Sequence, residues 1–187
     1  ELGKLPYTEV AAKVLGLFFD IKEDELLSMI TKAYRSFDDE EIIPIQKLGE
    51  NEFVMELFHG PTLAFKDVAL QLLPHLMGKA VESSEKDVLI LTATSGDTGK
   101  AALEGFCDVP PTQIASFYPE DGVADLQRLQ MQTQEGDNTY VCAVRGNFDD
   151  AQTAVKTLFA DAKFNAQADE MGYTLSSANS INFGRLA

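Results

Sequence analysis

Two short segments hold the residue types that could do chemistry. The first is HGPTLAFKD, residues 59–67, in which Gly60-Pro61-Thr62 makes a turn and Lys66-Asp67 opens a helix. A lysine between Phe65 and a helix start is partly withdrawn from water. Desolvation lowers an amine's pKa and makes it a better nucleophile toward a carbonyl. Asp67 suits the positive end of the same helix. The second segment is TATSGDTGK, residues 92–100, directly after a compact apolar run. Ser95, Gly96, Asp97, Thr98 and Gly99 set hydroxyls and backbone N–H groups at a helix N-terminus, a cradle for a carboxylate or phosphate. It is not a Walker loop, because the glycine spacing and the Lys-Ser/Thr ending are missing. Each segment alone has a plainer reading, as a surface lysine and as an ordinary capped turn.

The elements that must position these segments follow from periodicity. Thr8 to Phe19 and Glu23 to Phe37 read as helices, the second with Leu26, Leu27, Ile30, Ala33 and Tyr34 in one apolar stripe. IIPIQKL (42–48) and EFVMELF (52–58) are β-rich runs split by the turn-like Gly49-Glu50-Asn51. A helix is expected from about Lys66 to Val81, kinked or divided by Pro74. Beyond it, strands and helices alternate. DVLILTA (87–93), QIASFYP (113–119) and TYVCAV (139–144) read as strands, the first as one buried on both faces. Thr98 to Phe106, Val123 to Gln134 and Asp149 to Met171 read as helices, and TLSSANS (174–180) as a short strand running into a loop. This order implies an α/β fold, a parallel sheet flanked by helices. In such sheets ligands collect beyond the carboxyl ends of the strands, which selects Thr94 to Gly99, Val144 to Asp149 and Ser176 to Arg185.

Composition narrows the partners. With 15 Lys and Arg against 30 Asp and Glu, the net charge of −15 argues against nucleic acid, whose phosphates call for a basic surplus. No apolar stretch is long enough to span a bilayer, and the opening ELGKLPYTEV lacks a signal-peptide layout. Cys107 and Cys142 are not spaced for a metal, and His59 and His75 are isolated, so no metal site and buried, reduced thiols are expected. The cytoplasm is the default location. Neither repeats nor low-complexity tracts occur.

Taken together, the lysine segment and the Ser-Gly-Asp-Thr-Gly loop resemble the fold-type II pyridoxal-phosphate (PLP) enzymes, the tryptophan synthase β-like fold. The wording is narrower still: GPTLAFKDVALQ, TATSGDTGKAALEGF, DGVADLQRLQMQTQ, AVRGNFDDAQTAVK and SSANSINFGR resemble the threonine synthase family. The resemblance runs from roughly Leu5 to the last residue. Cysteine synthases and serine dehydratases share the plan but typically carry Asn where this chain has Asp97.

The resemblance implies that Lys66 holds PLP covalently and later moves protons. It implies that Ser95, Gly96, Asp97, Thr98 and Gly99 form the loop that takes the substrate carboxylate and approaches the cofactor ring. It assigns Asn179, Ser180 and Arg185 to the phosphate of the substrate O-phospho-L-homoserine; a planar guanidinium and neutral donors suit phosphate oxygens. The reaction implied is PLP-dependent conversion of O-phospho-L-homoserine and water to L-threonine and phosphate. Alternatives are another PLP-dependent lyase or phospho-lyase of the same fold, or a non-catalytic fragment. GNFDD (146–150) looks like the family's cofactor-phosphate loop but is a different segment, since Asp149 and Asp150 would repel phosphate. Asn147 or Asp149 is expected to cap a helix there. The chain is expected to be an N-terminal fragment. Residues 1–58 form a lead-in contributing to a large domain, and 59–187 the lysine segment and a small αβα domain. The rest of the large domain is missing.

Overall fold

The computed structural model describes residues 2–178. Its helices and strands follow the alternation expected, with instructive differences at the ends. Helix α1 spans Tyr7–Leu15 and α2 Glu23–Ala33, each shorter than its apolar pattern because Gly16 and Tyr34 close them. The two β-rich runs form only short strands, β1 (Ile45–Lys47) and β2 (Phe53–Met55), paired antiparallel as an isolated hairpin with every strand residue exposed. The expected helix from Lys66 divides into α3 (Asp67–Leu70) and α4 (Leu73–Ala80). Pro74 sits in the first turn of α4, where its missing N–H has no carbonyl to serve.

Then come β3 (Asp87–Ala93), α5 (Asp97–Phe106), β4 (Thr112–Pro119), α6 (Asp125–Gln132) and β5 (Thr139–Val144). The single helix expected from Asp149 to Met171 is instead two, α7 (Phe148–Ala160) and α8 (Ala162–Glu170), before β6 (Tyr173–Ser176). Asp161 makes the break: it ends α7 in an extended conformation, and its carboxylate accepts from the N–H groups of Lys163 and Phe164 to start α8. At the other end of α7, Asn147 and Asp150 form a reciprocal capping box, so the Gly146-Asn147-Phe148 turn serves as a helix cap.

The main sheet is wholly parallel in the order β5-β4-β3-β6. Helices cover both faces, as parallel strands require. Val88, Ile90, Ile114 and Tyr118 face a core shared with α5 and with Leu70 of α3. Leu89 and Leu91 alternate to the opposite face, where α7 packs. A second core gathers Leu15, Leu26, Ile30 and Tyr34 with Leu72 and Leu76. The α3–α4 segment therefore joins both cores, and the Tyr34 hydroxyl fixes the joint by donating to the Val68 carbonyl at 2.7 Å. Lys66 lies immediately before this anchored joint. Cys107, which closes α5, and Cys142, in the edge strand β5, are free but half-buried rather than buried. Burial, with Asp108 and Glu104 nearby, pushes the Cys107 thiol up.

His59 ties the end of the β2 segment to the turn after α2. Its ring nitrogens contact Asp38 Oδ1 at 2.6 Å and Glu56 Oε2 at 2.8 Å. Its hydrogen bonds to Glu56 and Asp38 raise its pKa above the usual 6.5. A raised histidine contributes stability that is complete below the unfolded value and is lost as pH rises through the folded value. Thermal melts of the chain should therefore fall as pH climbs past that range, and His59→Gln should flatten this part of the profile.

Candidate functional site

The loop that carries Lys66 is built around a buried carboxylate. Asp67 is 0% exposed and accepts two hydrogen bonds from Thr62, from the backbone N–H at 2.8 Å and the hydroxyl at 2.7 Å. The ring so formed encloses residues 62–67 and leaves Lys66 no freedom to swing with the backbone. Gly60 completes it, because a Cβ there would stand 2.5 Å from the Asp67 carboxylate oxygen. Burial raises the Asp67 pKa, and the Thr62 hydrogen bonds oppose that rise. Gln71 also lies beside this carboxylate, but its Nε2 has no hydrogen bond of normal geometry among the described residues. Asp67 was legible in the sequence as a helix-dipole residue; its structural task is to clamp the turn.

The Ser95-to-Gly99 loop is organised by Thr94, the first residue after β3. Its buried hydroxyl accepts from the N–H groups of Gly96 at 3.0 Å and Gly99 at 2.8 Å. The chain thus folds back on itself and enters α5 with the N–H groups of Asp97 and Thr98 leading, unpaired among the described residues. Gly96 has φ of 149°, a conformation that side-chain-bearing residues avoid. Ser95 is exposed and Thr98 half-buried, so both hydroxyls border open space.

These two loops meet. Lys66 Nζ lies 3.7 Å from Asp97 Oδ2 and 4.5 Å from the centre of the Phe65 ring. The lysine side chain is only 15% exposed, the Asp97 side chain 52%. Sheet order explains the place. The connection from β3 goes to β4 on one side, while β6 returns to pair with β3 on the other, so the chain reverses direction across the sheet at β3. The crevice beyond such a reversal is where open parallel sheets bind ligands. The Ser95–Gly99 loop leaves β3 at this point.

Of the residues singled out in the sequence, Lys66, Ser95, Gly96, Asp97, Thr98 and Gly99 come together; Asn179, Ser180 and Arg185 lie outside the described residues. Two further residues belong to the arrangement. Thr94 could have been found from its place between a strand and a glycine loop. Gln127 of α6, whose Nε2 donates to Asp97 Oδ1, carried no sequence signal beyond being one of several glutamines in a polar helix. Among the described residues, no cluster of His, Cys, Asp or Glu is placed for a metal, and no helix is long and apolar enough to cross a membrane.

Fold and site together define the class: a lysine-bearing parallel α/β unit of fold type II. The relatives are more particular. Threonine synthase of Pseudomonas aeruginosa is 42% identical over 184 residues, covering 97% of this chain and 38% of that protein. Threonine synthase-like 1 of Homo sapiens is 43% identical over 174 residues, covering 89% of this chain and 23% of that protein. The crystal structure of PLP-bound threonine synthase from Brucella melitensis superposes with a TM-score of 0.87 at 40% identity, covering 96% of this chain and 38% of the other. The chain is homologous to the threonine synthases and spans about two-fifths of their length. No protein-family model matches it.

The clamp makes a measurable claim. Asp67→Ala leaves two Thr62 donors without their acceptor and should cost about 2 kcal/mol of stability in denaturant titration. Asp67→Asn, which keeps one acceptor, should cost less, and Gly60→Ala should destabilise by driving a methyl into the carboxylate.

Proposed function

We propose that this chain supplies the lysine and the substrate-carboxylate loop of a PLP-dependent threonine synthase, which converts O-phospho-L-homoserine and water to L-threonine and phosphate. One observation carries the reading: the Lys66 amine and Asp97 of the Ser-Gly-Asp-Thr-Gly loop face one another at 3.7 Å beyond β3, where the sheet reverses. Homology to threonine synthases over 97% of the chain adds the reaction.

The residues present fit the cofactor. Lys66 is a largely covered amine on a rigid turn, beside an aromatic ring and facing Asp97 at the start of α5. When bound, PLP serves as the electron sink that makes the substrate's α-hydrogen acidic. Lys66 would hold the cofactor and, once free of it, would take the α-proton and then a β-proton so that the γ-phosphate could leave, and would return protons at the γ- and α-carbons as water adds at the β-carbon. One amine serves these steps because it is tethered within reach of both carbons. Asp97 stands by the amine and balances its charge when protonated. The hydroxyls of Ser95 and Thr98 and the leading N–H groups of α5 receive the substrate carboxylate. Asn179, Ser180 and Arg185 complete the reading as the substrate-phosphate contacts.

The division at residues 58 and 59, into a lead-in and a small αβα domain, is part of the same proposal, as is action in the cytoplasm. A second reading has the near-equal identity to threonine synthase-like 1 in its favour: a PLP-dependent lyase for another phosphorylated amino acid. A panel of phosphorylated amino acids separates the two.

The first test is chemical. After incubation with PLP, borohydride reduction and peptide mapping, a pyridoxyl adduct is expected on Lys66 alone, and on no residue in Lys66→Ala. An unmodified Lys66 in the unaltered chain, or adducts spread evenly over other lysines, would overturn the assignment.

A further inference from the structure

Asp97 is half exposed and stands on the first turn of α5, so a carboxylate in that position is ordinarily free to rotate. Here it is not. Gln127, thirty positions along the chain on α6, donates through Nε2 to Asp97 Oδ1, which turns Oδ2 toward Lys66 Nζ at 3.7 Å. The same side chain touches the loop a second time. Gly96, with φ of 149°, leaves room beside its Cα that Gln127 fills; a Cβ there would lie 2.5 Å from Gln127 Cδ and 2.9 Å from its Nε2. We infer that Gln127 is a positioning residue, which aims the Asp97 carboxylate at Lys66 and locks the Gly96 turn that carries it.

The chemistry of the side chain suits the task. A cation at 127 would compete with Lys66 for Asp97, and an aliphatic residue would fill the space without orienting the oxygen. A neutral amide donor orients the carboxylate and leaves its charge for the lysine. Neighbouring charges on the two helices are already engaged. Lys100 is held by Glu104 at 2.9 Å and Gln134 at 2.5 Å, and Arg128 by Asp125 at 2.8 Å. Lys66 is therefore the cation nearest to hand for the oriented oxygen.

The inference depends on Lys66 being the cofactor lysine, and its test is chosen to separate the two. In the cofactor-free chain, brief acetylation followed by peptide mapping gives the reactivity of Lys66 relative to Lys86, which pairs with Asp169 elsewhere. A lysine side chain no longer held by an oriented carboxylate is freer to meet the reagent and acylates faster. Gln127→Leu keeps the bulk beside Gly96 and removes the donor; Gln127→Ala removes both. The expected result is a rise of roughly threefold in the Lys66 ratio for both variants, in line with a partly exposed ion pair of moderate strength. Far-ultraviolet dichroism should match the unaltered chain. A Gln127→Leu ratio equal to that of the unaltered chain would overturn the inference, leaving Gln127 a space-filling residue. Borohydride mapping of PLP adducts then judges the cofactor assignment on its own, since acetylation requires no cofactor.

Discussion

A single buried carboxylate sets the geometry on which the site depends. Asp67 has lost its water entirely, and two hydrogen bonds from Thr62 replace it. Withdrawing a charge from water is expensive, and it is tolerated only where the replacement partners are fixed in place. The cost therefore constrains everything nearby. Thr62 must present both its N–H and its hydroxyl, position 60 must lack a Cβ, and the turn between must hold one shape. Lys66 inherits that rigidity because it is the residue enclosed by the ring. Just beyond the ring the Tyr34 hydroxyl pins Val68, so the segment is fixed again one residue after Asp67.

The second loop shows the same economy with a neutral group. Thr94 presents a hydroxyl instead of a carboxylate, and two backbone N–H groups converge on it. Lys66 and Asp97 are 31 positions apart in sequence, and neither loop determines their approach. The approach comes from the packing of α3 and α5 in one core. Gly105 allows that contact, since a Cβ there would lie 2.8 Å from the Leu70 carbonyl carbon. A glycine within a helix weakens it locally, and here, in the last turn of α5, it lets two helices pack closely.

The parts that were legible in the sequence were those set by local chemistry. The alternation of apolar runs with helical stripes gave the parallel sheet, and a cap at Asn147 or Asp149 was expected, of which the structure uses Asn147. Lys66 and the Ser95–Gly99 loop stood out through their occurrence together, since each alone reads as a surface lysine or an ordinary capped turn. What stayed hidden was set at a distance. Strand order depends on which side of β3 each crossover falls, which no local pattern records. The end of α7 depended on Asp161 preferring to cap the next helix rather than continue its own. Gln127 was indistinguishable from Gln130, Gln132 and Gln134 until α6 was placed against the Gly96 turn. Asp67 looked like a surface helix residue, because burial of a carboxylate is a tertiary property.

The exposed β1–β2 hairpin has a consequence for how molecules of this chain treat each other. Ile45, Phe53, Val54 and Met55 lie open together with Leu48, Phe58 and Phe65. A short two-stranded ribbon has no core of its own and two unpaired edges, so it attracts further strands. Against that attraction stands the net charge of −15, which keeps molecules apart at long range. The two forces respond to salt in opposite ways. At about 0.1 M salt, repulsion is screened beyond about 10 Å, whereas apolar adhesion is undiminished. The colloidal behaviour of the chain is thus a contest between a screened charge and an unscreened ribbon, and ionic strength decides it.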